Sequence, residues 1–276
     1  MPLRLMIILF VLCAGVGVAQ SLTQDERVAI EKRLREAQAR LAKNEALNDA
    51  FHQGQQAASK ATELEVAARG LAGEYLELAK KQIYQQWREA SEAFRKASEI
   101  DPKADVIWAR LADCYGALAG FEAGTSREAE FAKAAEASTK AIELKPDVPD
   151  YYVHYALTLV KMQKFDDAQA AVTRAAQLNP FNAGKYFFNL GAVLVTAGQL
   201  EPVGRAFKKA VDANPDYADA QYQYASCLAS KASTARDGRI ILPPGTVEAF
   251  QKYLKLEPNG QFADAAKRML SSLGHD

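Results

Sequence analysis

The chain has 276 residues, with 34 Lys plus Arg against 34 Asp plus Glu, so its formal net charge is zero. A balanced charge gives no electrostatic footprint for nucleic acid or for an anionic membrane surface. The three histidines, His52, His154 and His275, stand at no metal-ligand spacing from one another or from a cysteine pair.

Taken from the start, residues 1–19 hold one positive charge (Arg4), an apolar run from Leu5 to Ala14, and Gly17-Val18-Ala19. That layout predicts a secretory signal peptide cleaved after Ala19, in a run too short for a membrane span. The chain is then exported, to a periplasm or the secreted space. Cys13 follows Leu12 where a lipid-anchored leader needs a small residue, so anchoring at Cys13 is not expected. Residues 20–46 read as a helical lead-in with a stripe at Ile30, Leu34, Ala37 and Leu41, a spacing near 3.5 that also suits a short coiled coil or docking helix. From Leu47 to Ala58 a degenerate first helix is expected, with Gly54 as its small residue. An insertion from Ser59 to Gln86 follows, and Gly70 and Gly73 mark a break before one long helix over 74–100.

Residues 149–215 contain one pattern twice. An aromatic (Tyr152, Phe187) is followed by a small residue (Ala156, Gly191), an aliphatic (Leu159, Leu194) and a polar turn. A second apolar run comes next (Ala168-Val172-Ala175, then Val203-Phe207-Ala210), and each unit closes on Asn-Pro. Trp108, Leu111, Ala112 and Tyr115 open another unit, and Tyr224, Ala225 and Leu228 a last one. Ala90, Phe94 and Ala97 close the first. Pro102, Pro146, Pro180, Pro215 and Pro258 end successive units. Intervals of 34 and 35 residues, and two about ten longer, read as stacked helical hairpins with loop insertions at Gly120–Glu130 and Ser230–Thr246. Ser126 is placed to cap the helix after the first of these loops. Asp237-Gly238 signals a turn in the second, before the apolar Ile240-Ile241-Leu242. A closing helix over 262–273 is expected to face inward with Phe262, Ala266, Met269 and Leu273, and to cap the row.

These units resemble the tetratricopeptide repeat. The resemblance implies an all-α, right-handed α-solenoid over 47–260, in about five repeats (47–104, 105–148, 149–182, 183–217 and 218–260), with residues 261–276 as the capping helix. Composition agrees, being rich in the helix formers Ala, Glu, Lys, Leu and Gln. Cys114 and Cys227 fall at equivalent places three units apart, beyond the reach of a disulfide in such a stack, and are expected as buried small hydrophobes.

No nucleophile elbow, dinucleotide fingerprint or calcium loop stands in the mature chain, and Gly184-Lys185 lacks the glycine and hydroxyl of a phosphate loop. The reading is a non-enzyme with no cofactor and no metal. In the family resembled, the first helices of successive repeats line a concave groove. The places just after the opening aromatic and just after the small residue give Phe51, Asp113, Val153, Leu157, Phe188 and Tyr222 as the candidate peptide groove. Family members that clamp a carboxyl-terminal Glu-Glu-Val-Asp peptide use Lys and Asn at these places, and neither is present here. The groove floor reads as apolar and aromatic, suited to a peptide with bulky side chains. Phe188 and Tyr222 packing on neighbouring repeats is the competing reading. The function expected is a protein–protein scaffold whose partner is another protein or peptide, not nucleic acid. Self-association through the N-terminal helices is the alternative, and an accessory enzyme with a hidden site is the third.

Overall fold

The computed structural model describes residues 23–198, 200–234, 236 and 240–272. The leader with Cys13, the Asp237-Gly238 turn, Gln199, Leu273 and His275 lie outside them.

Eleven α-helices follow in order among the described residues. They are α1 Gln24–Ala67, α2 Gly73–Ile100, α3 Asp105–Ala119, α4 Gly124–Leu144, α5 Pro149–Lys161 and α6 Phe165–Leu178. After a 3-10 turn at Pro180–Asn182 come α7 Ala183–Thr196, α8 Leu200–Ala213, α9 Ala218–Ala229, α10 Thr246–Leu256 and α11 Ala263–Ser272. Consecutive helices pair as five hairpins, α1/α2 through α9/α10, with α11 on the last. Beyond consecutive helices, α3 touches α5, α5 touches α7 and α6 touches α8, which is the neighbour-on-neighbour order of a solenoid. None of the described helices is long and apolar enough to cross a membrane.

The prolines act as the sequence implies. Proline pushes the residue before it out of helical conformation. Asp101, Lys145, Asn179 and Glu257 accordingly sit at φ −131, −146, −136 and −132. Each still donates its backbone N–H to the carbonyl four residues earlier, at 2.8–3.0 Å, so the last turn closes before the chain leaves it. The carbonyl of a closing proline is then taken by a side chain six residues on: Trp108 Nε1 donates to Pro102 O at 2.9 Å, Tyr152 Oη to Pro146 O at 3.1 Å and Gln221 Nε2 to Pro215 O at 2.8 Å. These bonds tie the end of one hairpin to the first helix of the next.

Inside each hairpin a small residue lets the helix backbones close on a large side chain. A Cβ added at Gly54 would lie 2.8 Å from the Phe94 ring, and one at Gly191 would lie 2.6 Å from Phe207. Phe94, Phe207, Phe250 and Tyr253 are fully buried. The turns expected after α5 and α7 place Gln163 and Gly198 at φ 60 and 70, the left-handed step that reverses the chain.

Several expectations are corrected. In the insertion 59–86 the break at Gly70 and Gly73 and the long helix after it are found as expected, α2 starting at Gly73, but the residues before the break are helical too: α1 runs on to Ala67, so the insertion lengthens the hairpin. Lead-in and first helix are one helix, because the sequence between 43 and 47 holds no glycine or proline to stop it. The 120–130 insertion is mostly helical as well. Its Arg-Glu-Ala-Glu-Phe-Ala run favours helix, α4 starts at Gly124, and Ser126 caps nothing, since the N-cap is Ala123. In 230–246 two-residue strands pair antiparallel, Ser233 with Ile241 and Thr234 with Ile240. At the closing helix Ala266 is buried and Phe262 packs on Tyr222 as expected, but Met269 is exposed and Ala263 and Leu270 complete the inward face of α11 instead. Cys114 is buried, its thiol pushed up to about 12 chiefly by burial, but Cys227 is only half-buried.

A candidate interaction site around Asp113

Helices α3 and α5 are the first helices of the second and third hairpins. On α3 the small residues Ala112, Gly116 and Ala119, with Gly120 just past its end, leave room beside α5. The resulting cleft of about 480 Å³ is closed by Phe131 of α4 and by Leu157 and Thr158 of α5, and it carries Arg127 and Lys161 in its lining. Towards the other end of the same pair lies a smaller cleft of about 180 Å³, bordered by Val106, Ala109, Asp150 and Tyr151. A third, of about 310 Å³, opens between α1 and α3, with Gln55, Ser59 and Trp87 in its wall. Asp113 borders all three.

The Asp113 carboxylate is held from two sides. His154 Nδ1 lies 2.7 Å from its Oδ1, across the gap between hairpins, and Arg110 lies 3.6 Å from Oδ2. Nearby, Tyr151 Oη donates to Asp105 at 2.5 Å, a second bond between α3 and α5; burial, then that bond, raises the phenol above its ordinary value. The bond to Asp113 raises His154 above the ordinary histidine value, with the charges of Asp113 and Asp150 adding to it, while burial and Arg110 oppose it.

A raised folded value means that the coupling strengthens the stack while the imidazole is charged. It is fully present below the ordinary value near 6.5 and is lost as pH rises through the folded one. Both side chains are partly exposed, so screening keeps the energy small. The Asp113→Asn substitution is expected to bring the His154 titration back down, measured by proton NMR of its ring. An unmoved midpoint would show that the pair does not form in solution.

Of the residues predicted for a groove, Asp113 and Leu157 come together in the 480 Å³ cleft. Val153 is half-buried and borders none of the three clefts. Phe51 packs edge-on against Phe94 at 5.6 Å. Phe188 lies 5.5 Å from Phe207 and 4.8 Å from Tyr217, and Tyr222 stacks on Phe262 at 4.2 Å with the rings 4° apart. Phe188 and Tyr222 thus pack on neighbouring repeats, as the competing reading has it, and each remains half-buried. Tyr217 and Phe262 offer the rings dry surface, and a large ring gains more by covering it than by facing water. Tyr222 also borders a separate cleft of about 630 Å³ beside Ile240, Leu242 and Met269. His154, Arg110, Arg127 and Lys161 were missed; His154 stands one residue past the place that pointed to Val153.

Comparison with known proteins adds the following. Residues 149–182, which are α5 and α6, match the family model for the tetratricopeptide repeat. Small glutamine-rich tetratricopeptide repeat-containing protein 2 of Mycosarcoma maydis is 28% identical over 117 residues, 40% of this chain and 33% of that protein, so the match spans about a third of the relative's length. Among solved structures, MamA matches with a TM-score of 0.48 and 18% identity, over 78% of this chain and 93% of that one. A thermophilic tetratricopeptide-repeat protein of Thermus thermophilus matches with a TM-score of 0.42 and 17% identity, over 66% and 98%.

Proposed function

Since the chain is a tetratricopeptide-repeat protein, a fold that serves as a protein–protein interaction scaffold, we propose that it is an exported, non-catalytic scaffold. It holds a segment of a partner protein against the α3/α5 seam. The carrying observation is that three clefts on the two sides of α3 meet at Asp113. A partner strand laid there meets apolar surface from Phe131 and Leu157 and charge from Arg127, Lys161 and Asp113. That combination of a bulky-residue pocket with a polar rim is how binding surfaces gain both affinity and register. Export rests on the layout of residues 1–19.

Selection of peptides from a displayed random library tests the site. Enriched peptides are expected to lose more than about tenfold in affinity for Leu157→Asp, because removing a central anchor costs at least ~1–2 kcal/mol. Far-ultraviolet dichroism checks that the variant stays folded. Peptides that bind Leu157→Asp unchanged would place the binding surface elsewhere. Intact-mass measurement of the chain from its host tests export: the expected species begins at Gln20, and a species retaining residues 1–19 in the cytoplasm would contradict it.

A further inference from the structure

Helix α1 is twice the element that its hairpin uses. Its buried residues are Ala50, Gly54 and Ala61, all in the C-terminal half, where α2 covers it. Residues 24–46 are exposed at every position, about 34 Å of helix. This half is nonetheless a specified element. Thr23 and Glu26 form a complete capping box, with Thr23 N donating to Glu26 at 2.8 Å and Glu26 N to Thr23 Oγ1 at 3.3 Å. It also carries Ile30, Leu34 and Leu41 at 50%, 53% and 62% exposure, with Ala37 between them.

The stripe does not continue the face that α2 covers. At 100° per residue its centre lies about 150° around the helix from Ala50, Gly54 and Ala61, so α2 leaves it free. The stripe also ends at Leu41, before Gln55 and Thr62, where α1 borders a cleft with α3. The overhang alone is left to pair.

We propose that the overhang pairs with the overhang of a second copy of this chain, parallel and in register. The spacing 30-34-37-41 places Ile30 and Ala37 at one core position of a heptad, and Leu34 and Leu41 at the other. Charge selects the direction. In a parallel pair the flanking contacts run from a residue to the one five further on in the partner helix, which sets Arg40 on Glu45 and Arg33 on Gln38, against one adverse contact of Glu26 with Glu31. An antiparallel pair of the same stripe would set Arg33 on Arg40. This inference is independent of the groove and stands or falls apart from it.

Sedimentation of the full chain across the micromolar range is the test. The wild type is expected at twice the chain mass, and Leu34→Glu with Leu41→Glu at once the chain mass with unchanged helicity. Arg40→Glu should weaken the dimer, and adding Glu45→Arg should restore it. An Ile30→Cys chain should form a disulfide-linked dimer on mild oxidation. In an antiparallel pair the two sulfurs would lie about 16 Å apart along the axis and would not join. A monomeric wild type would overturn the proposal. So would a dimer that survives the double Leu substitution, because another surface then makes it, and so would an Ile30→Cys chain that does not cross-link.

Discussion

Replacing Phe207 by Ala is expected to remove about 3–5 kcal/mol of stability, the cost of deleting a buried phenyl ring when the surroundings cannot collapse into the space. Phe207 sits on α8 and is almost fully buried. Its ring meets the bare backbone of Gly191 on α7, and on another side the Phe188 ring at 5.5 Å. No side chain at 191 can move in to refill the hole. Because each hairpin is held by its neighbours, the loss is expected to spread to the fifth hairpin before the first. Urea unfolding gives the magnitude and hydrogen exchange by mass spectrometry gives the spread. A cost below about 1 kcal/mol would mean that the ring is not the keystone of its hairpin.

The second large effect comes from the other side of the same contact. A Gly→Ala change inside a helix ordinarily gains about 1 kcal/mol. At Gly191 the added carbon would lie 2.6–2.9 Å from three atoms of the Phe207 ring. Overpacking of that kind costs about 1–3 kcal/mol and occasionally more, so Gly191→Ala is expected to destabilise and Gly191→Val to stand at the top of that range. The two sites must couple. With Phe207→Ala in place, Gly191→Ala should turn neutral or stabilising, which a double-mutant cycle reads directly. Additive effects would contradict the close approach of α7 and α8.

The same two residues show how much was legible in the sequence. The order aromatic, small, aliphatic, turn, apolar run, proline specified the hairpins, and Phe187, Gly191, Leu194, Val203 and Phe207 are all buried where that pattern puts them. Helix and hairpin are local, so a local pattern suffices. Helix ends without a proline were less visible. Nothing in the sequence between 43 and 47 or between 124 and 130 distinguishes loop from helix as strongly as Pro102 or Pro146 does, and both stretches proved helical. The site was half visible. Asp113 and Leu157 follow from position within a repeat, but the bond of Asp113 to His154 depends on how far one hairpin is rotated on the next. The contacts of Phe188 and Tyr222 depend on the same rotation: their rings find Tyr217 and Phe262 across the stacking interface.

Stacking also explains why the surface around Asp113 is open. Each hairpin covers the apolar stripe of its neighbour, and the first helices, splayed along one side, leave seams between them. Small residues on α3 widen one seam into a cleft, while Asp113 and His154 pin the helices that form it.

Small-angle X-ray scattering of the full chain tests the stacked row most directly. The account predicts an extended particle, with a radius of gyration well above the roughly 18 Å of a globule of about 250 residues, and scattering that fits the row of hairpins as one chain or as two joined through α1. A radius near the globular value, with the hairpins folded back on one another, would contradict it.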